Sequence, residues 1–277
     1  MDTWKLVACD LDGTLMRDDM SVSEENLCAI AQTAELDVEF VPCSGRTLCE
    51  IPEKVRNHPG VHWIIHSNGA VILDRRNGQR YPACMTREVA GRVLDLLYAC
   101  DTHITIRQGG QSYADAAHQT PEDYAHNRVY AAHRSVLADY AVMLYNYKER
   151  IYAMEDIEVI SVFFHSDQEM AACWKTLEES GEVTVVSTAA VHLEIMAASA
   201  GKGNALRRLC RILDISPAET IGMGDSGNDL PLMRASGLAL AMGNGSEVLK
   251  KEADAVICRN DEHAVRYVLE KYLRCKA

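Results

Sequence analysis

The chain has 277 residues, enough for one large domain or two modest ones. Hydrophobic residues make up 48% and charged residues 25%, an ordinary globular composition, and the net charge of −12 leaves no electrostatic footprint for a nucleic-acid partner. No apolar run approaches the ~20 residues of a membrane span, and the first residues lack the basic-then-apolar pattern of a signal peptide, so the expected location is the cytoplasm.

Lys5 to Cys9 predicts a strand, and it runs into Asp10-Leu11-Asp12-Gly13-Thr14. Successive strand side chains point to opposite faces, so Asp10 and Asp12 share one face about 6 to 7 Å apart, where two negative charges repel unless a cation or a proton lies between them. Ser21-x-x-Glu24 is a capping-box pattern, with Leu27, Ile30, Ala31 and Ala34 behind it at helical spacing. Val38 to Pro42 is the next strand, stopping at Cys43-Ser44-Gly45-Arg46. Trp63 to His66 is a third, ended by Ser67-Asn68-Gly69, and Val71 to Leu73 with the turn Asn77-Gly78 reads as a hairpin. Strand, helix, strand in this order implies a parallel sheet with right-handed crossovers.

From about residue 84 the pattern changes. Thr86 to Ala99 predicts a helix, His103 to Arg107 a strand broken by Gly109-Gly110, and 118–150 a helical stretch. Ile157 to Phe164 is a strand, 167–180 a helix and Val183 to Ser187 another strand. No carboxylate pair stands at a strand end here, so 84–188 is read as an inserted domain within a core of 1–83 and 189–277. After Val191 to Ile195 the alternation resumes. Gly203 to Leu213 is an amphipathic helix, and Thr220 to Met223 is a strand leading to Gly224-Asp225-Ser226-Gly227-Asn228-Asp229. A helix from Leu230, strands at Leu238 to Met242 and Ala255 to Cys258, and a closing helix over 262–273 complete the pattern. The fold class is α/β: a Rossmann-like parallel sheet with helices on both faces, plus an inserted α/β domain. Ten cysteines sit singly without a C-x-x-C pair, which reads as reduced core thiols.

Ligands of parallel sheets bind beyond the carboxyl ends of the strands. Asp10 and Asp12, then Ser44 and Gly45, then Asp225, Asn228 and Asp229 fall there. Each cluster alone has a plain reading as a polar turn or a helix cap. Lys202 stands in the first turn of a helix, facing the positive end of its dipole, a mismatch of ~0.3 to 1 kcal/mol that a bound anion reverses. On that reading Lys202 lies near a helix start and not in the core, and removing it leaves stability unchanged or slightly higher. Taken together, three carboxylates, a hydroxyl and a lysine describe a site for a divalent cation and a phosphate. Magnesium takes one or two carboxylates plus substrate phosphate, which Asp10 and Asp225 can supply. A carboxylate beside a phosphoryl group is a candidate nucleophile, its neighbour a candidate acid and base, and Ser44 and Lys202 candidates for holding the non-bridging oxygens.

These residues, in this order, resemble the four motifs of the haloacid dehalogenase-like superfamily. More narrowly the chain resembles Cof-type phosphatases, which carry a large α/β cap between the second and third motifs. Ser67-Asn68-Gly69-Ala70, Lys202-Gly203 and the run "IGMGDSGNDLPLMRASGLALAMGNGSEVLKKEADAVI" add to the likeness, which covers about 4–82 and 191–273. The resemblance implies Asp10 as nucleophile and Asp12 as general acid and base. It implies magnesium held by the Asp10 carboxylate, the Asp12 backbone carbonyl and the Asp225 carboxylate. Phosphate contacts would come from Ser44 with Gly45, Lys202 and Asn228, with Asp229 as a supporting acid behind them. Ser44 stands where threonine is more usual, and Cys9 where an aromatic residue is common.

The implied activity is magnesium-dependent hydrolysis of a small phosphorylated metabolite, such as a sugar phosphate, through an aspartyl-phosphate. A phosphomutase shares every core motif, and a receiver-like phospho-switch is the alternative from another class. Neither nucleic acid nor membrane is an expected partner, and the sequence does not choose between monomer and homodimer. In 84–188, the substrate-specificity cap on this reading, Arg107, His118, His126, Arg128, His133 and His165 could each reach a leaving group. Solvated surface is the favoured reading for each.

Overall fold

The computed structural model describes residues 4–274, apart from the side chain of residue 188. The chain forms two compact units, one of Met1–Gly45, Ile51–Tyr81 and Lys202–Ala277, the other of Arg46–Glu50 and Pro82–Gly201.

The first stretch supplies β1 (Leu6–Cys9), α1 (Glu24–Glu35), β2 (Glu39–Pro42), α2 (Glu53–Arg56), β3 (Trp63–His66), β4 (Val71–Asp74) and β5 (Gln79–Pro82). All four β1 residues are buried, as a central strand covered on both faces requires. Ser23 caps α1 by accepting from the Asn26 amide, and the helix buries Leu27, Ala29 and Ile30. Trp63 to His66 does not continue as a parallel strand of the main sheet. It runs antiparallel to β4 within a three-stranded sheet β3-β4-β5 and meets β2's end through one parallel bridge, Cys43 beside Ile65.

The inserted unit follows, with α3 (Arg87–Leu97), β6 (Thr102–Gln108), β7 (Gln111–Asp115), α4 (Pro121–His126), α5 (Ala131–Tyr140), β8 (Val142–Leu144), α6 (Tyr147–Tyr152), β9 (Ile157–Phe164), α7 (Asp167–Ser180), β10 (Val183–Ala189) and β11 (His192–Ala197). Its six strands lie in the order β10-β11-β9-β6-β7-β8, with β7 and β8 parallel. This shifts the boundaries read from the sequence. β11 is hydrogen-bonded to β10 on one side and β9 on the other, so the unit extends to Gly201 and does not end at 188. Residues 46–50 also belong to it, because Cys49 N donates to Gly110 O and Ser112 Oγ to Glu50 Oε1, 2.6 Å away.

The chain returns through α8 (Lys202–Leu213), β12 (Thr220–Gly224), α9 (Leu230–Ala235), β13 (Leu238–Ala241), α10 (Glu247–Glu252), β14 (Ala255–Val256) and α11 (Ala264–Val268). The main sheet is parallel, in the order β14-β13-β12-β1-β2. On one face α8 buries Ala205, Leu206, Leu209 and Cys210 against Leu6, Ala8, Val41 and Ile65. Each buried leucine there contributes about 1.5 to 3 kcal/mol. That packing fixes the start of α8, and with it Lys202, beside the carboxyl ends of β1 and β12.

Candidate active site

Asp10 is the last residue of its segment held by the sheet, its N–H donating to Met223 O at 3.0 Å. Beyond it the chain bonds to itself, Leu15 N to Asp10 O and Met16 N to Leu11 O, so the backbone curls and does not stay extended. The expected pairing of Asp10 and Asp12 on one strand face is therefore corrected. Asp10 is 4% exposed, whereas Asp12 lies at the surface.

The carboxylate brought against Asp10 is Asp229. Lys202 Nζ donates to Asp10 Oδ1 and to Asp229 Oδ1, both at 2.6 Å, and Lys202 is 2% exposed. The other oxygen of Asp229 accepts from the backbone N–H groups of Asp225 (3.1 Å) and Ser226 (3.2 Å), which fixes the loop after β12. One carboxylate oxygen each from Asp10, Asp225 and Asp229 lie within 4.8 Å of one another. Lys202 is thus a core residue, and the reading of it as a helix-end mismatch is corrected. Its partners are hundreds of atoms away along the chain, so no local helix rule registers them.

Burial pushes the Asp10 carboxyl well above the ordinary carboxylate range, the charges of Asp229 and then Asp12 push the same way, and Lys202 opposes them. Asp225 is pushed up to about 6, by burial first and then by Asp229. Burial disfavours the Lys202 ammonium, but Asp10 and Asp229 outweigh it and hold Lys202 well above its ordinary value. With all three carboxylates ionised, one lysine leaves two negative charges uncompensated. A divalent cation balances that charge, and an all-oxygen donor set suits a hard ion. The loop geometry fits as well. Gly13 has φ +72°, and a Cβ there would collide with the Asp225 carboxylate, so the loop after β1 passes against that acid.

Ser44 is fully buried just beyond β2, its N–H donating to Ile65 O. A Cβ on Gly45 would sit 3.0 Å from Asn68 Oδ1, so Gly45 admits the Asn68 side chain closely. Asn228 accepts from Ser226 Oγ at 2.6 Å. In the inserted unit the surface reading fails for two of six residues. Arg107 is buried with Glu194, 2.6 Å away, and His133 is buried beside Phe163. His118, His126, Arg128 and His165 are exposed, bonded to Asp115, Asp101, Asp167 and His126 O respectively. One residue not singled out from the sequence also closes on the site: Asn244 Nδ2 donates to Gly13 O at 2.8 Å. Its signal was an asparagine between two glycines directly after a predicted strand.

Residues 7–269 match the family model described as haloacid dehalogenase-like hydrolase. A Bacillus subtilis (strain 168) protein named phosphatase YwpJ is 31% identical, over 97% of this chain and 100% of its own length. The 5-amino-6-(5-phospho-D-ribitylamino)uracil phosphatase YwtE of the same organism is 24% identical, over 97% of this chain and 98% of its own. A solved haloacid dehalogenase-like hydrolase from B. subtilis shares the fold with a TM-score of 0.81 and 31% identity, over 97% of this chain and 100% of that one. The chain therefore belongs to the haloacid dehalogenase-like hydrolases, in their Cof-type branch, and is a phosphatase.

Proposed function

We propose that this phosphatase hydrolyses small phosphorylated metabolites in the cytoplasm, with magnesium as its cation and Asp10 as its nucleophile. The observation that carries the reading is the buried Lys202 ammonium shared by Asp10 and Asp229, with the Asp225 carboxylate alongside. The Asp10 and Asp225 carboxylates and the Asp12 backbone carbonyl would hold magnesium, which when bound offsets phosphate charge and orients the phosphoryl group.

Lys202 favours the ionised form of Asp10 against its burial, and it has a third N–H to offer a phosphate oxygen. Asp10 attacks phosphorus, the bond to the leaving oxygen breaks, and the Asp12 carboxyl delivers a proton to that oxygen. Water then attacks the aspartyl-phosphate while Asp12 takes its proton back. The exposure of Asp12 suits a group that meets first a leaving group and then water. Ser44 with Gly45, and Asn228, stand at the strand ends from which the non-bridging oxygens would be held. Asp229, with acceptors given to Lys202, Asp225 N and Ser226 N, supports both the lysine and the loop. The substrate named for YwtE, a small phosphate ester, supports the substrate class.

The test is a screen of chelator-treated protein against sugar phosphates, nucleotides and phosphorylated cofactors, with and without magnesium. Release of inorganic phosphate only with the metal is expected. An isomerised sugar phosphate without phosphate release would make the protein a mutase, and activity surviving exhaustive chelation would remove the metal.

A further inference from the structure

We infer that Asn244 is a positioning residue for the phosphatase reaction: it clamps the loop carrying Asp10 and Asp12 to the loop carrying Asp225, and Asn260 sets the orientation of its amide. The inference rests on the reading of those two loops as the metal- and phosphate-holding elements.

The turn between β13 and α10, residues 242–246, grips the Asp225 segment at two points. Met242 N donates to Gly224 O at 3.0 Å and Ser246 N to Asp225 O at 2.8 Å. Between them Gly245 packs so closely that a Cβ would lie 2.9 Å from both Asp225 O and Met242 O. The same turn holds the other loop by a side chain, Asn244 Nδ2 donating to Gly13 O. Gly13 is the point at which the first loop passes against the Asp225 carboxylate. One five-residue turn is therefore bonded to both loops at the place where they meet.

The amide of Asn244 has a single workable orientation. Its Nδ2 faces a carbonyl oxygen and needs to donate, while its Oδ1 accepts from Asn260 N at 2.9 Å. Asn260 is itself 2% exposed and donates through Nδ2 to Met16 O (3.1 Å) and Asp18 Oδ1 (3.0 Å), the far end of the same loop. The loop of residues 10–18 is thus held at its middle by Asn244 and at its end by Asn260. Asparagine is the side chain of this length that offers one donor and one acceptor. Aspartate in its place would set a carboxylate oxygen against the Gly13 carbonyl oxygen and add charge beside three carboxylates. Magnesium demands near-ideal octahedral geometry, so a small relative shift of the two loops weakens its hold and misplaces Asp10 from phosphorus.

The experiment compares wild type, Asn244→Asp and Asn244→Ser in two assays: steady-state kinetics, and thermal midpoint against magnesium concentration without substrate. In both variants kcat should fall at least tenfold with KM changed less than threefold. The magnesium concentration giving half of the thermal shift should rise at least tenfold. The serine variant removes the Gly13 bond without new charge, so it reads the clamp even if the aspartate variant does not fold. Variants that lose thermal stability but keep the wild-type kcat and magnesium midpoint would overturn the clamp alone. A wild-type protein that magnesium does not stabilise would overturn the metal reading, and the clamp with it.

Discussion

The Lys202 ammonium lies 2.6 Å from one oxygen each of Asp10 and Asp229, all three side chains being buried. Removing one partner of such a group leaves buried charge uncompensated, which costs about 3 to 5 kcal/mol. Lys202→Ala should therefore lower the metal-free thermal midpoint by several degrees at pH 7.5, and by less at pH 5, where Asp10, its carboxyl pushed up chiefly by burial, is easier to protonate. Denaturation scans at the two pH values check both statements. Asp12 is a different kind of residue, exposed and outside the carboxylate trio. Asp12→Asn keeps the backbone carbonyl and loses proton transfer, so kcat should fall about 10² to 10⁴-fold with little change in stability. A substrate with a good leaving group should still phosphorylate Asp10 in this variant, and slow hydrolysis should leave the aspartyl-phosphate detectable by mass. Loss of the magnesium-induced thermal shift in Asp12→Asn would assign that residue's carboxylate to the metal instead.

Among the elements, β6 and β11 carry a buried ion pair across β9: Arg107 on one and Glu194 on the other, side chains 9% and 6% exposed. Burial works against the Arg107 guanidinium, but Glu194 and then Glu50 outweigh it and raise its affinity for its proton. Glu194→Ala should destabilise the inserted unit by about 3 to 5 kcal/mol, and replacing both residues by leucine and methionine should recover most of that. Chemical denaturation of the single and double variants measures it. The same strands show what was legible in sequence. The helix over 167–180, the amphipathic helix that opens at Lys202 and the strand Ile157–Phe164 form where the sequence predicts them. Residues 118–150 read as one helical stretch but hold three helices and the short strand β8, because three residues are too few to show an alternation. β11 is an ordinary strand by composition, and nothing local says which sheet receives it. The site was legible as residue types at strand ends. The burial of Lys202, the curl that exposes Asp12 and the grip of Asn244 all depend on contacts distant in sequence.

For the molecule as a whole, the two units should answer to acid in opposite senses. In the inserted unit His103 and His192 are pushed down to about 4, chiefly by burial, and burial also holds His133 well below the ordinary range. Asp123 and Asp115 oppose the shift at His103, and Glu194 opposes it at His192. An unfolded histidine binds its proton near pH 6.5, so between about 6.5 and 4 the unfolded chain holds more protons than the folded one. Stability supplied by these neutral rings is present above 6.5 and is lost as pH falls through 4. Asp225 runs the other way: raised to about 6, it contributes stability that is full below the unfolded carboxylate value and lost as pH rises through 6. Lowering the pH from 7.5 to 5 should therefore speed amide exchange, corrected for intrinsic rates, in β6, β9 and β11. Over the same interval the metal-free β1 and β12 should exchange no faster.

The order of strands in the main sheet also governs how the chain is assembled in time. β1 lies between β2 and β12, with Leu6 beside Glu39 on one side and Thr220 on the other, and the whole inserted unit falls between those two partners in sequence. β2 can join β1 after one short crossover, but β12 must close a far longer loop, and the entropy of that closure is met before any contact rewards it. The inserted unit pairs through near neighbours such as β6 with β7 and β10 with β11, so it can form first and shorten the loop to its own two ends. Refolding from denaturant should then show two phases, with phosphatase activity returning only in the slower one. Glu194→Ala should lengthen that slower phase although it lies outside the main sheet, which stopped-flow refolding with a delayed activity assay measures.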